Sequence, residues 1–239
     1  MERGILIHEG QQECPYLPGQ VACMPLYRQQ RILSLTETDV RFAMSERRVG
    51  QSLYRTECPA CSACKGIRIL VNQFVMSKSQ RRVWNRWKKL GSRLRITMGP
   101  ASYSEEKLAL YNRHKQKRNL VSSEDGLMDA AGYVGWLIRS CFQTAEMCFY
   151  IDGHLVGVGI LDLGATAISS VYFYFDPDPE WSALSPGVFS VLQEIGFCRR
   201  TGRTHHYLGL YVAECGKLNY KANYLPHQRL VDGEWHTFQ

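Results

Sequence analysis

The sequence has 239 residues, which is enough for one large domain or two smaller ones. Its 45% hydrophobic content is ordinary for a globular protein, and its nine prolines argue against general disorder. No apolar run approaches the roughly 20 residues that a membrane-spanning helix needs, so we expect no membrane partner. The first residues lack the apolar region of a signal peptide, so we expect a cytoplasmic protein with mostly reduced cysteines. The net charge of +7 favours a polyanionic partner.

Residues 1–76 contain short apolar runs that are broken by proline, glycine and cysteine. These runs predict strands at residues 20–26 and 66–71. They also predict a helix over residues 37–46, with Thr36 or Thr38 as the N-cap.

Three cysteines, Cys58, Cys61 and Cys64, are separated by two residues each. Cysteine thiolates ligate zinc and iron–sulfur clusters, and a structural zinc site usually takes four ligands. Cys14 and Cys23 are the nearest candidates for the fourth. The alternative is a cluster of reduced structural thiols without a metal.

A basic segment follows the cysteines. Ser77 and Gln80 form the pattern of a capping box, and apolar residues at helical spacing predict a helix over residues 78–90. Four basic side chains lie off the apolar stripe: Arg81, Arg82, Arg86 and Lys89. They are candidates to contact RNA phosphates, and an ordinary solvated face is the alternative. We place a domain boundary after this helix, which divides the chain into residues 1–92 and 93–239.

The second segment alternates predicted helices and strands, and we expect an α+β fold for the chain. Helices are predicted at residues 105–116 and 129–139 and from Pro186 onward, and strands at 148–151, 155–161, 167–175 and 207–212. In the strand at 167–175, Ser170, Tyr172 and Tyr174 alternate with apolar residues, which predicts one core face and one polar or functional face. Near the end of the chain, Tyr220 and Tyr224 flank Lys221 and are candidates to line a polar pocket. His205 and His206 are adjacent on a predicted strand and receive no role, because neighbouring side chains point to opposite faces.

These segments together resemble the bacterial aminoacyl-tRNA–protein transferases, the aspartate/glutamate leucyltransferases that are related to the arginyl-tRNA–protein transferases. The stretches that carry the resemblance are residues 14–18, 54–64, 67–69, 74–82, 172–178, 207–209 and 219–226. The resemblance implies a small cysteine-containing N-terminal domain and a GNAT-like acyltransferase C-terminal domain. It implies transfer of leucine or arginine from charged tRNA to proteins with N-terminal Asp or Glu, which marks them as N-degrons for proteolysis. It also supports Zn or an Fe–S cluster at Cys14, Cys58, Cys61 and Cys64.

The implied reaction makes an amide from an ester that is already activated, so the transfer requires no cofactor. We predict that Tyr172 and Asp176 lie in the reaction cleft, where Asp176 orients the amine. Tyr220 and Tyr224 are predicted to donate hydrogen bonds to the ester or the leaving ribose oxygen. Arg47, Arg48 and Lys221 are candidates to bind the acidic side chain of the acceptor, because arginine can grip a carboxylate with two hydrogen bonds.

Two other functions fit parts of the sequence. A GNAT acyltransferase that uses acyl-CoA is one, although no clear glycine-rich pyrophosphate loop follows a predicted core strand. A non-catalytic RNA-binding or metal-regulatory protein is the other, and it would need the cysteines and the basic helix without an organised cleft.

Overall fold

The computed structural model describes residues 3–120 and 126–239. Its strands are β1 (Ile5–His8), β2 (Gln11–Glu13), β3 (Val21–Cys23), β4 (Leu26–Arg28), β5 (Arg47–Val49), β6 (Ser52–Tyr54), β7 (Lys65–Leu70), β8 (Leu94–Pro100), β9 (Gln143–Ile151), β10 (His154–Leu163), β11 (Ala167–Phe175), β12 (His205–Tyr211), β13 (His227–Val231) and β14 (Glu234–Phe238). Its α-helices are α1 (Leu35–Ala43), α2 (Lys78–Lys88), α3 (Glu105–Lys117), α4 (Ala130–Tyr133), α5 (Pro179–Ser182), α6 (Pro186–Arg200) and α7 (Gly216–Asn219). This mixture of helices and strands agrees with the predicted α+β class. None of the described helices has the length and apolar character needed to cross a membrane.

The main sheet has eight strands in the order β14-β13-β7-β12-β11-β10-β9-β8. β11 and β12 run parallel, and the other neighbouring pairs are antiparallel. β7 lies between β12 and β13, so the sheet crosses the boundary predicted between residues 92 and 93. The division into two domains stays a prediction.

Helices α2 and α6 cover one face of this sheet. The predicted capping box of α2 is present, since the Ser77 hydroxyl accepts from the Gln80 amide and the Gln80 side chain accepts from the Ser77 amide. Trp87 of α2 stacks on Phe189 of α6 with ring centroids 4.2 Å apart, and its indole N–H donates to the Leu184 carbonyl at 2.9 Å. The buried apolar stripe of α2 therefore fixes α6 in place.

Helices α3 and α4 cover the opposite face with an aromatic cluster. Tyr133 and Tyr174 are fully buried there, and their hydroxyls are 2.5 Å apart. The prediction of a polar face on β11 is therefore wrong at Tyr174, because the sheet has packed helices on both sides. Phe173 points to the α6 side and Tyr172 to the α3 side, so each face of β11 is partly core.

A second sheet of four strands, in the order β1-β4-β6-β5, and helix α1 adjoin the main sheet. Helix α1 begins earlier than predicted, because Ser34 is its N-cap and forms a capping box with Glu37. The predicted strand over residues 20–26 is two short strands, β3 and β4, and the predicted helix over residues 129–139 is α4 followed by a π-helical segment at Val134–Ile138. The other predicted helices and strands are confirmed, with small differences at their ends except for β9, which begins at Gln143 instead of the predicted residue 148.

Candidate active site

A cleft of about 1030 Å³ opens beside the central strands β11 and β12. These strands pair over only three residues, Ala167–Ser169 with His205–Tyr207. Beyond these pairs, β11 shifts its register against β10, and Val171 is the extra residue. In the same way β12 shifts its register against β7, and Leu208 is the extra residue. Such bulges bend strands, so they explain why β11 and β12 part and leave room between them.

The wall of the cleft is strongly cationic. Five basic side chains line it: Arg47, Lys115, Arg118, Lys217 and Lys221. Glu194 is the acidic residue among the described lining residues. Helix α6 also begins at the wall, where Ser185, Pro186 and Gly187 lie, and a helix N-terminus favours negative charge. The cleft is therefore suited to anionic ligands.

Arg47 is held in the cleft by its contacts with β11. Its Nη1 donates to the Ser169 hydroxyl at 3.1 Å and to the Ser170 carbonyl at 3.0 Å. The guanidinium lies over Gly209, where a Cβ would be 2.7 Å from Arg47 Cζ. Gly209 also has a φ of 83°, so both its backbone and the position of Arg47 require glycine.

Lys221 lies in a short 3₁₀ helix, Tyr220–Asn223, on the cleft wall. Its Nζ donates to the Leu210 carbonyl at 2.6 Å. Burial and, to a lesser degree, the nearby Arg47 guanidinium lower the pKa of Lys221 to about 7. Lys221 therefore changes charge near neutral pH.

Two of the four predicted catalytic residues line the cleft. Tyr172 packs beside Trp136 with ring centroids 5.1 Å apart, and burial raises the pKa of its hydroxyl. Tyr220 is 48% exposed on the opposite part of the wall. Their phenol groups remain protonated at neutral pH and can donate hydrogen bonds into the cleft.

A buried polar network closes the floor between β11, β12 and α6. The Ser170 hydroxyl donates to Glu194 Oε2 at 2.6 Å and lies 2.7 Å from His206 Nε2. His206 Nε2 is 2.9 Å from the same carboxylate oxygen, and Ser190 donates to Glu194 Oε1 at 2.7 Å. Glu194 is 2% exposed and His206 is fully buried, yet Ser170, Ser190 and Glu194 line the cleft.

Residues 12–82 match the family described as arginine-tRNA-protein transferase, N terminus, and residues 106–231 match its C-terminal counterpart. The chain belongs to the aminoacyl-tRNA–protein transferase family. The aspartate/glutamate leucyltransferase of Aeromonas salmonicida (strain A449) is 34% identical over 228 residues, covering 93% of this chain and 90% of the relative. The enzyme of the same name from Pseudoalteromonas atlantica is 31% identical over 225 residues, covering 93% and 92%. The transferase is thus an aminoacyltransferase.

Among solved structures, that of L-PGS from Bacillus licheniformis covers 63% of the transferase and 47% of its own chain, at 13% identity and a TM-score of 0.44. A TM-score of this size does not establish a shared fold, so the GNAT-like fold stays a prediction.

Three predicted site residues lie away from the cleft. Arg48 is buried, and its Nε donates to both carboxylate oxygens of Asp162 at 2.9 and 2.8 Å. Asp176 is 1% exposed at the end of β11, where Arg113 and His154 contact its carboxylate, with His154 Nε2 at 2.8 Å. Tyr224 is buried in the core against Phe74. The structure therefore gives these three side chains partners in the protein.

The predicted RNA-binding residues lie on the outside of α2. Arg81, Arg82, Arg86 and Lys89 are exposed, and none of them lines the cleft. Arg86 donates to the Ala183 carbonyl and Arg81 to the Met76 carbonyl at 3.2 Å. Helix α2 packs against α6, and these charges lie outside the cleft.

The cysteines of the N-terminal segment are free, half-buried thiols. Burial, followed by the neighbouring Cys58, Cys14 and Cys61, raises the pKa of Cys64 to about 11, so its thiol is protonated. In residues 3–120 and 126–239, no three Cys, His, Asp or Glu side chains are placed to hold one ion. The metal site at Cys14, Cys58, Cys61 and Cys64 stays a prediction.

Sequence reasoning missed Ser170, Glu194 and His206 as site residues. One signal was available, because Glu194 is a lone carboxylate between Leu192 and Ile195 on the buried side of α6. A carboxylate is rarely buried without partners, so its position predicts a polar group facing it.

Proposed function

We propose that the transferase moves leucine from charged tRNA to the N-terminal Asp or Glu of acceptor proteins in the cytoplasm, and so marks them as N-degrons. The observation that carries this proposal is the cationic cleft of about 1030 Å³, which suits both a tRNA terminus and an acidic acceptor. The names of the relatives, aspartate/glutamate leucyltransferases, support the same choice.

The wall of the cleft favours leucine over arginine as the donated residue. Apolar side chains line it beside the cations: Phe173, Val188, Val191, Leu208 and Leu218. The acidic lining residue that the structure describes, Glu194, already accepts hydrogen bonds from Ser170 and Ser190. An arginine side chain would therefore meet cations without a free carboxylate, whereas a leucine side chain would meet apolar surface.

Arg47 and Lys221 are the proposed contacts for the acidic side chain of the acceptor. Both lie on the cleft wall, and the Arg47 guanidinium is already oriented by Ser169 and the β11 backbone. A fixed guanidinium binds a carboxylate with less loss of side-chain freedom than a mobile one. This arrangement would discriminate Asp and Glu from uncharged N-terminal residues.

The chemistry requires the amine and the ester to be held together and the oxyanion to be stabilised. Tyr172 and Tyr220 are the proposed hydrogen-bond donors for the ester and the ribose. The cations of α2 and of the cleft are proposed to bind the tRNA backbone. The proposed chemistry needs no metal, and the zinc or iron–sulfur site at the cysteines stays a prediction that elemental analysis of anaerobically purified protein tests.

The test supplies labelled Leu-tRNA or Arg-tRNA with one model protein that begins with Asp, Glu or Ala. We expect leucine transfer to the Asp and Glu forms and not to the Ala form. Transfer of arginine instead would overturn the donor assignment. Retention of tRNA binding with no transfer to any acceptor would favour a binding protein, and transfer from acyl-CoA would favour an ordinary acyltransferase.

A further inference from the structure

The buried network on the cleft floor contains the Ser170 hydroxyl, to which the proposed binding of tRNA and acceptor gives no role. Ser170 is half-buried and lines the cleft, while Glu194 and His206 lie behind it without exposure of their own. Its hydroxyl is within 2.7 Å of both partners, at 2.6 Å from Glu194 Oε2 and 2.7 Å from His206 Nε2. A carboxylate in such a place is costly unless it is fully hydrogen-bonded.

The hydrogen bonds define the protonation of the network. Burial acts to raise the pKa of Glu194, but the hydrogen bond and the charge of His206, together with hydrogen bonds from Ser170 and Ser190, outweigh it and hold the pKa below its ordinary value. His206 Nδ1 is buried and has no hydrogen-bond partner among the described residues. Because the Ser170 hydroxyl donates to Glu194 and the carboxylate can only accept, Nε2 of His206 carries the proton that faces both groups. The resting network is therefore a carboxylate that accepts from two serines and from the Nε2–H of His206.

We propose that Ser170 takes the proton from the attacking amine and returns it to the leaving ribose oxygen, with Glu194 as the group that holds it in between. This inference rests on the proposed aminoacyl transfer and assigns its proton path. Ser170 is the catalytic residue, and Glu194 and His206 act through it.

The step balances within the cleft. The carbon–nitrogen bond forms as the carbon–oxygen bond of the ester breaks. One proton of the amine passes to Ser170 Oγ while the hydroxyl proton of Ser170 passes to Glu194 Oε2. The same path in reverse delivers a proton to the ribose oxygen, so the network returns to its starting state.

The geometry favours this path over a covalent intermediate on Ser170. In a catalytic Ser–His–Asp triad the carboxylate binds the histidine nitrogen that faces away from the serine. Here Glu194 contacts the same nitrogen, Nε2, that faces Ser170, and Nδ1 has no partner among the described residues. His206 therefore cannot receive the serine proton while the carboxylate stabilises its far side.

The experiment measures single-turnover leucine transfer from Leu-tRNA to an Asp-starting acceptor in the full chain. We expect Ser170→Ala and Glu194→Gln each to lower the rate about a hundredfold, within the range of lost acid–base catalysis. The KM values for both substrates should change little, because the change affects the transition state. Ser170→Thr, which keeps the hydroxyl, should restore much of the rate.

Tyr174→Phe is the matched control. It removes a buried hydroxyl from the same strand, at a residue that contacts Tyr133 and does not line the cleft. Its rate should stay near that of the wild type. If Ser170→Ala keeps the wild-type rate, or loses activity only through KM, the proton path is wrong.

Two further outcomes are decisive. Leucine that stays covalently attached to wild-type protein but not to Ser170→Ala, when no acceptor is present, would make Ser170 a nucleophile and overturn the proposal. If Glu194→Gln fails to fold, Ser170→Ala still tests the proton path. This variant should fold, because it removes only one oxygen at a half-buried strand position. Failure of the wild type to transfer leucine would instead refute the proposed function.

Discussion

Arg47 and Arg48 are neighbours on β5, yet they have different environments. Alternate side chains on a strand point to opposite sides, so Arg47 reaches the cleft and Arg48 reaches the interior. Besides its contacts with Asp162, Arg48 donates to the carbonyls of Trp136 at 2.8 Å and Leu137 at 3.1 Å. Arg48 thus joins β5 to β10 and to the π-helical segment, and one of two adjacent arginines stabilises the fold while the other lines the cleft.

Replacing Arg48 tests this difference. Arg48→Ala leaves the Asp162 carboxylate buried without its cation, so we expect a loss of about 3–5 kcal/mol in the free energy of unfolding. Denaturant unfolding measures it. The control Arg93→Ala breaks an exposed pair with Asp152 and should leave the unfolding midpoint nearly unchanged. Equal midpoints for the two variants would contradict the buried role of Arg48.

The lowered pKa of Lys221 predicts a pH dependence of acceptor binding. With a pKa of about 7, the side chain is charged below that pH and increasingly neutral above it. Binding of an acidic acceptor should therefore weaken as the pH rises through neutrality. The measurement is the Kd of an N-acetyl-Asp peptide between about pH 6 and pH 8.5, because this peptide has no amine that titrates in that range. The Lys221→Arg variant stays charged, so its Kd should not change with pH in this range. If the Kd of the wild type and that of the variant depend on pH in the same way, Lys221 is not part of the acceptor site.

At the scale of elements, structure that depends on residues close together in the sequence was predicted more accurately than structure that depends on distant residues. Helix α2 is predictable because its capping box and apolar stripe lie within one stretch of sequence. The floor of the cleft is not, because Ser170, Glu194 and His206 come from three elements and meet only through the sheet. The polar face predicted on β11 is wrong at Tyr174 for a related reason, since the helices that cover both sides of the strand are distant in sequence. Of the cleft residues, Arg47 was reached only through the family resemblance, whereas the strand alternation and the tyrosine–lysine pattern already indicated Tyr172, Tyr220 and Lys221.

Helix α2 carries its own prediction for tRNA binding. Its exposed basic side chains are available to phosphates, and each phosphate contact adds about 0.7–0.9 to the slope of log affinity against log salt. We expect the double variant Arg82→Ala, Lys89→Ala to lower that slope by about 1.5 in tRNA binding. Arg31→Ala is the control, because Arg31 is paired with Glu37 in a different part of the surface. An unchanged slope in the double variant would exclude α2 from the tRNA interface.

At the scale of the whole molecule, the main sheet joins both ends of the sequence. β7 contacts β12 and β13, and α2 packs against α6, so the first 92 residues share a core with the rest. The cleft depends on this shared core, because its wall combines Tyr16, Arg47 and Tyr54 with residues of the second segment.

A shared core predicts a single unfolding transition. Tryptophan fluorescence reports on both segments, through Trp84 and Trp87 in one and Trp136 in the other. Circular dichroism and fluorescence of single-tryptophan variants should give coincident midpoints in denaturant. Two separated midpoints would show that the predicted domains are independent units.

The position of β7 in the sheet also has a consequence for the order of synthesis. Its six residues leave the ribosome well before their partners His205–Tyr211 and His227–Val231 are made. Until then β7 has neither neighbour in the sheet, and the cleft lacks Leu208, Leu210 and Lys221. Chains that stop short of these residues would have no complete site, so we expect the transferase to become active only after β12 and β13 have been made.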